Sequence, residues 1–130
     1  MAPASKGSDF RRQPPAPGPL VRGFTAEGFS VDGRTYRALL LTPESAAEWE
    51  APALADLDVA HVAPVLALDT PPEFLILGTG PAMAFAPRRL VEALEARGIG
   101  IETMDSRAAA RTWGLLRAEE RWIAAAIMPL

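Results

Sequence analysis

The run Phe74-Leu75-Ile76-Leu77, closed by Gly78-Thr79-Gly80-Pro81, constrains the fold more than any other stretch of the chain. Four consecutive apolar residues leave no solvent face, as in a strand covered on both sides within a parallel sheet. The residues downstream agree with that reading. A helix is predicted to begin at Pro87, a residue favoured at the first helical position; it sets Leu90, Val91 and Leu94 on one side and takes Gly98 as its C-terminal cap. Ile99 to Thr103 reads as the next strand, Ser106 as the cap of a helix running to about Leu116, and Trp122 to Met128 as a third apolar strand. A β-α-β-α-β unit with connections this short demands parallel pairing and right-handed crossovers.

Ahead of that unit, Asp32-Gly33 sits between two strand-like runs, Gly28 to Val31 and Arg34 onward. This dipeptide favours a tight hairpin because both turn positions want positive φ. The second arm is predicted to continue through Arg37 to Thr42 and to stop at Pro43. Residues 44–57 show no clear period, and Trp49 is expected to anchor in the core. Asp58 is placed to cap a short helix reaching Ala67, which Pro64 breaks or kinks unless the helix is very short. The fold class is α/β, with an antiparallel hairpin in front.

With 130 residues, there is room for one domain. Five of the thirteen prolines fall within residues 1–20, so residues 1–23 are expected to be a disordered, proline-rich, basic arm and residues 24–130 a single α/β domain. Charge divides at the same boundary. The arm carries Lys6, Arg11, Arg12 and Arg22 against Asp9, a net of +3, while the rest carries a net of −6. An acidic body argues against nucleic acid, whose phosphates need a basic face. The chain has no cysteine, which excludes disulfides, thiolate catalysis and cysteine metal sites, and its single histidine leaves little for a transition metal. No apolar run approaches the roughly 18 residues of a membrane span, and no apolar leader opens the sequence. No cofactor is expected, and the composition is that of a cytoplasmic protein.

Parallel sheets gather ligands at the carboxyl ends of their strands, where helix N-termini point free N–H groups. Two such corners are expected: Gly78-Thr79-Gly80 leading to Pro87-Arg88-Arg89, and Asp105-Ser106-Arg107. Their hydroxyls, arginines and helix dipoles would suit a small anion. They do not make a nucleotide fingerprint, because Met83 stands where G-x-G-x-x-G needs glycine and the lysine of a phosphate-binding loop is missing. His61 has no recognisable nucleophile to serve and reads as a structural histidine. Arg111 is expected to pair with Asp105 or a neighbouring acid, and Arg121 with Glu119 or Glu120. Trp113 and Trp122 are expected as core or interface anchors.

The segments Phe74 to Gly80, Gly100 to Ser106, Ala109 to Trp113 and Glu119 to Ala126, together with Phe29 to Tyr36 and Leu40 to Pro43, resemble the respiratory complex I assembly factor 3 family. The resemblance runs from about Gly28 to Leu130. It implies a three-layer single domain in which the N-terminal hairpin and the β-α-β-α-β unit form a mixed central sheet. It also implies a non-enzymatic factor: the mitochondrial member partners another assembly protein while complex I is built at the inner membrane. Bacterial members mostly have no established activity, and some are encoded beside protein-export genes. Family positions near the strand ends correspond to Gly78, Thr79, Gly80, Asp105, Ser106, Arg111, Thr112 and Arg121. The chain departs from the family at three places. Ser106 replaces a threonine, Trp113-Gly114 an aromatic-asparagine pair, and Glu119-Glu120-Arg121 a Glu-Gly-Arg.

The resulting expectation is a small bacterial interaction protein without catalysis, assisting assembly of a membrane respiratory complex and peripheral to the inner membrane through its protein partners. Such a protein should expose an apolar patch. The alternative is a small-anion or small-molecule binding protein, or an enzyme, built on a Thr79–Ser106–Arg111 pocket. That reading requires those side chains to converge.

Overall fold

A computed structural model describes residues 18–130. The arm expected over residues 1–23 lies outside the described residues up to residue 17. Beyond it, strand β1 (Val21–Thr25) already begins before the domain start expected at residue 24. β1, β2 (Gly28–Val31) and β3 (Arg34–Tyr36) form a small antiparallel sheet in that order. The expected tight turn joins β2 to β3: Val31 pairs with Arg34, and Asp32 and Gly33 take φ of 51° and 80°.

The expected second arm does not continue to Thr42. β3 stops at Tyr36, and Leu39–Leu41 is a separate strand, β4, in another sheet. All three of its leucines are buried, whereas Arg34 and Thr35 are exposed. A strand apolar on both faces belongs inside a covered sheet, and a strand with one polar face belongs to an outer one. β5 (Ala46–Glu48) pairs antiparallel with β4 at the edge, resolving a stretch without clear sequence period.

The main sheet continues with β6 (Phe74–Gly78), β7 (Gly100–Met104) and β8 (Ala124–Ile127), in the order β5-β4-β8-β6-β7. β8 runs antiparallel to β4 and parallel to β6, and β6 runs parallel to β7, so the sheet is mixed. Alternation along its strands builds two cores. Leu40, Leu75, Leu77, Ala124 and Ala126 face helix α2 (Arg88–Glu95) and its buried Leu90 and Leu94. On that side also lie Trp49 and a short pair of turns, Val59–Val62 and helix α1 (Ala63–Leu66). Leu39, Leu41, Ile76, Ala125 and Ile127 face helix α3 (Ser106–Ala118) and the small sheet. The molecule is therefore a three-layer α/β domain.

Two local expectations are refined. Asp58 caps the first short turn, and His61 Nδ1 accepts the Asp58 backbone N–H at 3.0 Å, so the lone histidine completes a capping box. Pro64 falls in the first turn of α1, where its missing N–H costs nothing. Pro87 is the N-cap of α2 and not its first residue.

Candidate functional site

The crossovers β6-α2-β7 and β7-α3-β8 lie on opposite faces of the sheet. The loops leaving β6 and β7 therefore diverge, and a crevice is expected between the two strand ends. Gly78, Thr79, Gly80, Asp105 and Ser106 do meet there. Their polar groups, however, are turned on one another. The Ser106 hydroxyl accepts the Gly80 N–H at 2.8 Å and donates to the Met128 carbonyl at 2.7 Å, fully buried. The Ser106 N–H reaches the Gly80 carbonyl at 2.8 Å, and the Thr79 N–H reaches the Met104 carbonyl at 2.9 Å. Ser106 is thus not the cap of α3 but its first residue. The cap is Asp105, whose carboxylate accepts the Ala108 N–H at 2.9 Å. Gly78 suits this close approach, because a Cβ there would lie 3.0 Å from Ala109 Cβ, Ser106 Cα and Ser106 Oγ. Ser106 joins three strand ends into one.

Thr79 acts outward. Its hydroxyl donates to the Ala82 carbonyl at 2.7 Å, with the Met104 carbonyl at 3.2 Å, and accepts the Ala84 N–H at 3.1 Å. These bonds grip the chain on both sides of Met83. At the base of the same loop, Arg89 donates to the Ala55 carbonyl at 2.7 Å, and Arg88 pairs with Glu92 at 3.2 Å. The arginines expected to face an anion are directed elsewhere. The loop displays its apolar residues: Phe85 is 84% exposed and Met83 50%. Burial of large apolar side chains is the rule in a folded domain, and two exposed on one anchored loop form a surface feature. Sequence reasoning missed both. The signal was present, since Pro81 to Pro87 is a turn-length segment without a single charged residue.

The remaining candidate residues are spread along α3 and beyond it. Arg111 is exposed and Thr112 half-buried, about 7.5 and about 9 Å along the axis from Ser106 at about 1.5 Å per residue. Among the described residues no ion pair joins Arg111 to Asp105. Arg121 sits at the opposite end of the sheet, where it forks onto Glu73, just before β6, with its shortest contact at 2.8 Å. This replaces the expected pairing with Glu119 or Glu120. The hydrogen bond from Arg121 lowers the Glu73 pKa below the ordinary glutamate range, with further help from the charge of Arg121 and the Trp122 backbone, while partial burial opposes it. The Thr79–Ser106–Arg111 convergence required by a pocket is not formed.

Trp113 is fully buried and donates to the Pro19 carbonyl at 2.9 Å, fastening the chain ahead of β1 to α3. Trp122 donates to the Thr70 carbonyl at 2.8 Å. Among the described residues no helix is long and apolar enough to cross a membrane.

Residues 21–128 match a protein family described as a protein of unknown function (DUF498/DUF598). Over 113 residues the chain is 28% identical to NADH dehydrogenase (ubiquinone) 1 alpha subcomplex assembly factor 3 of Danio rerio, covering 86% of this chain and 65% of that protein. The chain thus spans just under two thirds of that relative's length. An uncharacterised protein of Rhodobacter capsulatus is 32% identical over 121 residues, covering 92% of each chain. Among solved structures, a protein of Bordetella parapertussis superposes with a TM-score of 0.79 at 30% identity, covering 90% of this chain and all of that one.

Proposed function

The chain belongs to the DUF498/DUF598 family, and from that premise we propose that it is a non-catalytic interaction protein assisting assembly of a membrane respiratory complex. The observation that carries this reading is the similarity to an assembly factor for NADH dehydrogenase along nearly the whole domain. Two features of the molecule support it. The hydroxyls and backbone groups at the strand ends are engaged with one another, which disfavours the alternative of a small-anion site or an enzyme at that corner. Thr79 holds the chain on both sides of Met83, next to the exposed Phe85, which lowers the cost of ordering that loop against a partner.

In this reading Gly78, Thr79, Gly80, Asp105 and Ser106 are the frame of a docking loop, and protein partners are reached through Met83 and Phe85. The protein acts from the cytoplasmic side, peripheral to the membrane through those partners. The test is capture of the tagged full chain from detergent-solubilised membranes of its native host, quantified by mass spectrometry. Enrichment of complex I subunits or their assembly proteins is expected, reduced at least about tenfold for Phe85→Asp. Capture of the same partners undiminished by Phe85→Asp would remove the loop from the account, and absence of respiratory partners would remove the assembly role.

A further inference from the structure

A second surface lies away from the Met83–Phe85 loop. β1 and α3 pack side by side, and between them runs a groove of about 190 Å³ lined by Val21, Arg22, Gly23, Phe24, Ala110 and Arg111. Its composition departs from the rest of the domain. Neither β1 nor α3 contains a carboxylate, although the chain from residue 24 onward is acidic overall. Arg107 and Arg111 are one α-turn apart on an exposed face of α3, and Leu115 extends the same face at 69% exposure. Arg107 rests its guanidinium 5.9 Å from the centre of the Phe24 ring, at the end of the groove. Arg22 falls where the β1–β2 register shifts between Val21 and Gly23, a bulge of the kind that re-aims a side chain. Among the described residues none of these three arginines forms an ion pair.

Three unneutralised guanidinium groups around an apolar trough fix the chemistry of an occupant. It must bring carboxylates, and it must bring an apolar side chain to cover Val21, Phe24 and Ala110. A benzene-sized group fits a cavity of about 150 Å³, so one side chain of that size suits the trough. A flat lipid surface could reach the arginines but would not fill a concave floor. We infer that the groove between β1 and α3 docks an acidic segment of a protein partner, anchored by one apolar side chain in the trough, with its carboxylates on Arg22, Arg107 and Arg111. This rests on the reading of the chain as an interaction protein, yet it is independent of the Met83–Phe85 loop.

The experiment is fluorescence anisotropy on the full chain with a labelled synthetic peptide bearing one leucine among aspartates and glutamates. Its comparators are the same peptide with serine for leucine, the same with lysines for the acids, and phosphatidylglycerol vesicles. Binding of the acidic leucine peptide is expected. It should weaken about tenfold or more in Arg107→Glu/Arg111→Glu, and with salt raised from about 50 to about 500 mM. Arg107→Lys/Arg111→Lys should retain most of it, showing that the reversal acts through charge and not through loss of the fold. The leucine-to-serine peptide should bind more weakly, and Arg88→Ala and Phe85→Asp should bind as the parent does. The inference is overturned by equal binding of the basic peptide, by indifference to the charge reversal, by no peptide binding at all, or by vesicles binding where the peptide does not. Because Phe85→Asp is silent here and decisive in the capture experiment, failure of one reading is distinguishable from failure of the other.

Discussion

Ser106 shows how one hydroxyl can determine the character of a whole corner. Read in sequence, it follows a strand and precedes a helix, the position of a cap or an anion ligand. In the fold it is fully buried, with both its donor and its acceptor capacity used on Gly80 and Met128. Ser106→Ala leaves two buried backbone groups without that partner and is expected to cost about 1–3 kcal/mol, measured by urea denaturation. Gly78→Ala drives a methyl to 3.0 Å from Ala109 Cβ and should cost about the same through overpacking. Glu73 titrates in the opposite corner. Its pKa is lowered in the fold, so the stability it adds is complete above the unfolded-chain value and is lost as pH falls through the lower folded one. An NMR titration should place the Glu73 carboxyl below the ordinary range, and in Arg121→Gln back within it. With both partners nearly half exposed, the effect on stability is small. None of these partnerships was legible in the sequence. Arg121 finds an acid 48 residues away in preference to its neighbours, and only the sheet brings the two together.

At the scale of elements the sequence was more informative, and unevenly so. β6 and β8 were legible as continuous apolar runs, α2 and α3 by helical spacing and flanking turn residues, β7 by its place between the two helices, and the Asp32-Gly33 turn because its backbone demands those residues. The division between β3 and β4 was not. Tyr36 to Leu41 reads as one strand, and no turn residue marks the point where the chain passes from the outer sheet to the central one. β1 was hidden for another reason: its residues are only partly covered, and they come after a stretch rich in proline. Trp113 ties that stretch to the domain by its bond to the Pro19 carbonyl. Trp113→Phe preserves most of the buried ring and removes the bond. It should cost about 0.5–1.5 kcal/mol and speed limited proteolysis ahead of β1, with the core strands still protected.

Over the whole molecule, the polar groups of the strand ends are bonded to one another where chemistry was expected. The two crossovers bring β6 and β7 to a crevice that in other α/β domains receives a ligand, and here the chain fills it with its own hydrogen bonds. The product is a hydrogen-bonded loop carrying Met83 and Phe85 at one end of the sheet, and an arginine-lined groove along α3. The resemblance to assembly factors gave the fold and the interaction role as expectations, but the surfaces came from the folded chain, since exposure is a property of what fails to find a covering. The most direct test of the central claim is the amount of fully assembled complex I in membranes of the native host, resolved on native gels. It should be measured with the gene deleted and with the parent or Phe85→Asp protein restored at equal levels. Assembly that falls on deletion, returns with the parent and stays low with Phe85→Asp is the predicted result. Undiminished assembly in the deletion strain would contradict it.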